Sequence, residues 1–148
     1  MSQSILSVAG IDHVVLYVSN LDTSRRFYKE VLGFGERLGS GDGRIAFMVC
    51  GDQGVDLIAT EGGAPARGGT DGELHHVALR LASGTRDEIV AALTSIGIET
   101  HSREQDPETI YLLDPDGHRI QLLSEKEQEK NRRRFEERRL AANLTIGT

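Results

Sequence analysis

The chain of 148 residues has the length of one domain, and its 38% hydrophobic and 27% charged residues are typical of a globular protein. A net charge of −6 argues against a nucleic-acid binder, because neutralising phosphates requires a surplus of Lys and Arg. No apolar run reaches membrane-spanning length and the N-terminus lacks a signal-peptide pattern, so we expect a cytoplasmic protein without membrane partners.

The first half of the chain predicts a strand, a helix and two more strands. Residues 11–18 are rich in β-branched and aromatic side chains, as strands are. Residues 23–32 carry apolar side chains at helical spacing, and Gly33 stands where such a helix is expected to end. Further strands are predicted at residues 44–50 and 54–60.

The second half repeats that order after a glycine-rich loop at residues 62–72. A strand is predicted at residues 73–81 and a helix at 85–96, which opens with the spacing of a capping box. Strands follow at 109–113 and 118–123, joined by an Asp-Pro-Asp-Gly turn. The two halves therefore predict one structural unit present twice.

The repeat directs attention to two histidines. His13 and His76 both precede a Val-rich strand core and lie 63 positions apart, while Gly33 and Gly97 both follow a helix and lie 64 apart. A pseudo-twofold arrangement would bring the two imidazoles together, as a site for Zn, Fe, Mn, Co or Ni or as a structural pair. The neighbouring His75 is expected to point to the opposite face of its strand.

The C-terminal segment, residues 125–142, differs from the repeats. It is dense in charge and in good helix formers. We expect a charged helix that is either solvated or packed on a partner subunit.

Three segments resemble the vicinal oxygen chelate superfamily: DHVVLYVSNLDTSRRFYKEVLGF, HHVALRL and YLLDPDGHRIQLL. This superfamily includes glyoxalase I, fosfomycin- and bleomycin-resistance proteins, methylmalonyl-CoA epimerase and extradiol dioxygenases. The resemblance, over residues 10–124, implies an α+β fold of two βαβββ modules, about 10–61 and 73–124, whose mixed sheets curl around a cleft. A single domain would then span residues 1–124, with a helical tail at 125–148.

The resemblance also implies a set of metal ligands. His13 and His76 match the first-strand ligands of the two modules, and Gln121 matches the last-strand ligand of the second, which is usually Glu. The matching place in the first module falls on Leu57, with Asp56 next to it and facing away. A site of two His and one Gln lacks the carboxylate charge that stabilises a bound divalent cation.

Two further residues match positions near the metal in extradiol dioxygenases. In extradiol dioxygenases a Tyr stands ten positions before the last-strand ligand, and Tyr111 stands ten positions before Gln121. His101, ten positions before Tyr111, either matches a His that those enzymes place near the metal or is an ordinary loop residue. Either residue is a candidate to donate or accept the reacting proton. Arg119, on the face of Gln121, either meets an anionic substrate or lies at the rim.

We therefore predict a metal-dependent enzyme acting on a small oxygenated substrate, with lyase, isomerase or dioxygenase-type chemistry. The divalent metal would bind to His13, His76 and Gln121 and act as a Lewis acid. The alternative is a metal-free protein that sequesters an antibiotic or natural product, as bleomycin-resistance proteins do. In either case a homodimer is the expected assembly.

Overall fold

The structure is a computed structural model that describes residues 11–37, 43–61 and 74–146. The predicted loop at residues 62–72 lies outside the described residues. Each half follows the order strand, helix, strand, strand, strand, and a long helix follows the second half. The predicted α+β fold of two βαβββ modules with a C-terminal helix is confirmed.

The elements have the following bounds. The first module contains β1 (His13–Val18), α1 (Leu21–Arg26), β2 (Gly35–Arg37), β3 (Ile45–Cys50) and β4 (Gln53–Ala59). The second contains β5 (Val77–Arg80), α2 (Arg86–Ser95), β6 (His101–Arg103), β7 (Asp106–Leu113) and β8 (Arg119–Leu123), followed by α3 (Glu125–Ile146). The three-residue strands β2 and β6 escaped the sequence pattern, because three residues are too few to show alternation.

The first sheet has the order β1-β4-β3-β2, with β1 parallel to β4 and the other pairs antiparallel. Its two faces differ because side chains alternate along each strand. One face is buried, and α1 contacts the β3 and β4 strands. The fully covered side chains of that face include Val18, Met48 and Leu57. On the opposite face Val15 and Tyr17 are exposed.

The α1 helix begins with a side-chain cap and ends in a wider turn. The Asn20 side chain accepts a hydrogen bond from the Thr23 amide at 2.9 Å, which satisfies one unpaired helix amide. The chain then continues as a π-helical turn, Phe27–Val31. Gly33 follows with φ of 78°, a left-handed conformation that glycine adopts without strain.

The turn between β7 and β8 is fixed against the first module by buried polar groups. The Tyr28 hydroxyl donates to Asp114 Oδ2 at 3.0 Å, and Asp114 Oδ1 accepts from the amides of Asp116 and His118. His118 Nε2 donates to the Tyr17 carbonyl at 2.8 Å. Burial raises the pKa of the Asp114 carboxyl, and the hydrogen bonds that it accepts oppose that rise. The Asp-Pro-Asp-Gly motif thus has a structural role here.

The second sheet has the order β5-β8-β7-β6, with β5 parallel to β8. Ile110, Leu112 and Ile120 form part of its buried face. The predicted capping box opens α2: Thr85 and Glu88 exchange backbone-to-side-chain hydrogen bonds.

The α3 helix is attached to the second sheet at its first turns. The Gln128 amide donates to the carbonyls of Leu81 and Leu123, at 2.8 and 2.9 Å, and Lys130 pairs with Asp106. Farther along, Phe135 is exposed. Within the described residues, no helix combines the length and the apolar character needed to cross a bilayer.

Candidate functional site

The β1–β4 strands, with the turn after β7, form one compact unit, and β5–β8 with α2 and α3 form the other. His13 belongs to the first unit, whereas His76 and Gln121 belong to the second. No three His, Cys, Asp or Glu side chains converge as a metal-binding group within the described residues. The candidate site is therefore described as two half-sites, each with its own neighbours.

The first half-site centres on His13 at the start of β1. Its Nδ1 is 2.6 Å from Asp12 Oδ1, so this nitrogen carries the proton that it shares with the carboxylate. The Asp12 hydrogen bond and then the charge of Asp56 raise the pKa of His13. Because Nδ1 is occupied, Nε2 is the ring nitrogen available to a metal. A carboxylate on the outer nitrogen is the usual support of a metal-binding His.

Asp56 provides a second donor beside that nitrogen. Asp56 Oδ2 lies 3.7 Å from His13 Nε2, and the carboxylate side chain is mostly buried. Two ligands that each bind one ion at about 2.1 Å are separated by roughly 3 to 3.5 Å. The distance between the two atoms is thus close to that between two donor atoms that bind the same cation.

The expectation that Leu57 occupies the ligand position of the first module is wrong. In the second module Ala78 pairs with Gln121, and in the first module Val15, the repeat equivalent of Ala78, pairs with Asp56. Asp56 is therefore the counterpart of Gln121. Leu57 is completely buried on the opposite face of the sheet. The first module thus retains the carboxylate that the sequence alone seemed to lack.

Gly54, the cross-strand partner of His13, keeps this corner of the sheet open. A Cβ atom at Gly54 would lie 2.9 Å from the Met48 carbonyl and 3.8 Å from His13 Cβ. A larger residue would push β3 away from β4 or displace the backbone next to His13.

The second half-site centres on His76, whose proton position follows from its neighbours. Arg119 Nη1 lies 2.9 Å from His75 Nε2, and a guanidinium only donates, so this nitrogen accepts. The His75 proton is then on Nδ1, which lies 2.8 Å from His76 Nδ1. His76 therefore accepts at Nδ1 and carries its own proton on Nε2. The expectation that His75 points away is wrong, because β5 begins only at Val77 and strand alternation does not apply.

Gln121 lies beside His76 on the same face of the sheet. Its side chain hydrogen-bonds to His76 and favours the protonated ring, as an accepting amide oxygen does. Burial, followed by the proximity of the His75 ring and the charges of Arg103 and Arg119, nevertheless lowers the pKa of His76. A neutral imidazole is the form that binds metal.

Tyr111 lies against His76, with the two rings edge to face at 5.6 Å between centroids. Its hydroxyl is buried and finds no hydrogen-bond partner among the described residues. His101 is the cross-strand partner of Tyr111 and is exposed. Directly paired residues share a sheet face, so the two candidate catalytic residues lie on the face that carries His76.

The matched family model covers residues 10–122 and describes the Glyoxalase/Bleomycin resistance protein/Dioxygenase superfamily. The chain belongs to this superfamily. It is 24% identical over 139 residues to the fosfomycin resistance protein FosX of Listeria monocytogenes. The aligned region covers 87% of this chain and 99% of that relative.

Solved structures of this superfamily show the same fold. A putative glyoxalase family protein from Bacillus anthracis is 26% identical, with a TM-score of 0.62 over 80% of this chain and 97% of that one. Leishmania major glyoxalase I is 21% identical, with a TM-score of 0.70 over 90% of this chain and 99% of that one.

Proposed function

We propose that this protein is a metal-dependent enzyme of the superfamily that acts on a small oxygenated substrate. His13, Asp56, His76 and Gln121 are the proposed ligands of one divalent cation. The observation that carries the proposal is the contact of His13 with Asp56. Asp56 lies opposite Val15 in the first sheet as Gln121 lies opposite Ala78 in the second, so the two modules repeat one arrangement. Two unrelated His residues would have no reason to share this arrangement.

The donor set suits a first-row transition metal. Two imidazoles and a carboxylate suit Fe, Zn, Ni, Mn or Co, and the amide oxygen adds a neutral fourth donor. Asp12 holds the Nδ1 proton of His13, which leaves Nε2 to bind. The lowered pKa of His76 keeps that ring neutral, but both of its nitrogens are hydrogen-bonded, to His75 and to Gln121. A cation bound by His76 and Gln121 would therefore displace the Nε2 proton of His76.

A bound cation supplies Lewis-acid stabilisation of negative charge on a substrate oxygen. The protein groups supply the proton transfer. Asp56 is the carboxylate placed to accept a proton, and Tyr111 has a buried hydroxyl that can donate one. His101, across from Tyr111 and exposed, can exchange a proton with solvent.

This arrangement favours an isomerase or a lyase that moves a proton at a carbon next to a bound oxygen. The carboxylate of Asp56 supplies the group that such chemistry needs and that His13, His76 and Gln121 alone would lack. The Listeria relative is named for fosfomycin resistance, so fosfomycin is the first compound to test.

Metal content is the direct test of the proposal. Protein that is stripped with a chelator and then titrated with Zn²⁺, Ni²⁺, Mn²⁺ or Fe²⁺ should bind about one ion per chain, since the proposed ligands make one set per chain. Calorimetry and elemental analysis after gel filtration measure the stoichiometry. Failure of all four metals to bind would refute the enzyme proposal and favour a metal-free sequestering protein.

We further propose that the protein is a homodimer. The open face of the first sheet exposes Val15, Tyr17 and Val49, which a second copy would cover. Light scattering at micromolar concentration should therefore give about twice the chain mass, because a twofold pair is the commonest small assembly. A single species with the mass of one chain would contradict this proposal.

A further inference from the structure

The face of the second sheet that carries His76 holds two arginines, although the whole chain has a net charge of −6. Arg119 begins β8 and lies two residues before Gln121, and Arg103 ends β6. Each arginine contacts a ring that itself contacts His76: Arg119 reaches His75, and Arg103 lies over Tyr111. The two cations therefore lie close to the proposed metal ligand.

These arginines have no acidic partner among the described residues, unlike five others. Five arginines form ion pairs with carboxylates: Arg25, Arg44, Arg86, Arg132 and Arg133. In the described part of the chain, neither Arg103 nor Arg119 forms such a pair. Arg119 instead donates to His75, and Arg103 lies over the Tyr111 ring at 5.3 Å. Within the described residues, neutral groups orient their charges and no carboxylate neutralises them.

The same face also presents a hydrogen-bond donor without an acceptor. The Tyr111 hydroxyl is buried and unpaired among the described residues, and a buried hydroxyl without a partner is unfavourable. The neutral amide of Gln121 brings no negative charge to this half-site. A metal cation bound at His76 would therefore face two further positive charges, so its binding would be assisted by an anion.

We propose that Arg103, Arg119 and the Tyr111 hydroxyl bind an oxyanion of the substrate, a carboxylate or a phosphonate or phosphate group. Guanidinium groups match the planar edge of these anions and bind them through paired hydrogen bonds. The proposal rests on the proposed function, because it places the charged end of the substrate beside the cation-binding residues. It defines the substrate as an anionic, oxygenated small molecule.

Anion binding can be measured without metal. Protein stripped of metal and dialysed free of chelator is titrated with methylphosphonate, and separately with acetate, while the ring signals of His76 and Tyr111 are followed by NMR. Methylphosphonate should bind with a dissociation constant on the order of 1 mM, as expected for a ligand with few atoms. Arg119→Gln and Arg103→Gln should each weaken it by at least about tenfold, since each removes a charge-assisted hydrogen bond.

Arg132→Gln is the matched control, because it removes the same charge from an exposed position on α3 of the same unit. It should leave anion binding unchanged. Stronger binding of methylphosphonate or of acetate identifies which oxyanion the site prefers, and either result supports the proposal. Absence of binding of both anions to wild-type protein, or equal losses in all three variants, would overturn it. Metal titration of the same samples tests the proposed function separately. A protein that binds metal but neither anion would contradict only the anion site, and one that binds an anion but no metal would contradict only the metal site.

Discussion

Asp56→Asn should lower the affinity for a divalent metal by at least about tenfold, because a neutral amide oxygen replaces the carboxylate charge on which the affinity depends. The substitution keeps the size of the side chain and removes the charge of the carboxylate that lies 3.7 Å from His13 Nε2. Competition titration with a metal-binding dye measures the change. Turnover of any substrate found should fall with it, because the proposed base is lost as well.

Asp52→Asn is the matched control for this experiment. Asp52 lies in the exposed turn between β3 and β4, so its substitution removes the same charge from the same hairpin. In metal-free protein the Asp56 variant should also show a lower pKa for His13, because the negative charge of Asp56 raises the His13 pKa in the wild type. The hydrogen bond from Asp12, which also raises the His13 pKa, is retained in the variant. If both variants bind metal as wild type does while the pKa of His13 falls, Asp56 is a neighbour of His13 and not a ligand.

The modules and both histidines could be predicted from the sequence because their signals are local or repeated. Alternating apolar residues mark β1 and β4, and apolar residues at helical spacing mark α2. The equal spacing of His13 and His76 from their strand cores then identified them as equivalent. The structure places each at or just before the start of the first strand of its module.

The position of Asp56 could not be predicted because it depends on strand register. The helix-ending glycines are 64 positions apart, and that offset assigns Leu57 to Gln121. The strand pairing gives an offset of 65 positions between the last strands, which makes Asp56 the equivalent of Gln121. A shift of one residue moves a side chain to the other face of a sheet, so a single insertion reverses the conclusion about the metal site. The error at His75 has a related cause, since the start of β5 was placed too early.

Gln121→Glu should raise the affinity for a divalent metal by at least about tenfold, because a carboxylate adds a negative charge to a site whose affinity depends on ligand charge. Gln121→Leu should lower it, because the leucine has no donor atom. Gln121 is buried beside His76 and points its amide oxygen to that ring, so both substitutions act at the proposed ligand position. Dye competition and calorimetry on wild type and both variants give the three affinities.

The same variants separate the enzyme from a metal-free sequestering protein. In a sequestering protein Gln121 is only a polar group in a binding groove, and none of the three proteins binds metal. The Glu variant then buries a carboxylate without a cation and should melt at a lower temperature than wild type, because an uncompensated buried charge is costly. In the enzyme, metal should raise the melting temperature of the Glu variant more than that of wild type, since tighter binding to the folded state gives greater stabilisation. A Glu variant that binds metal no better than wild type would remove Gln121 from the proposed ligand set.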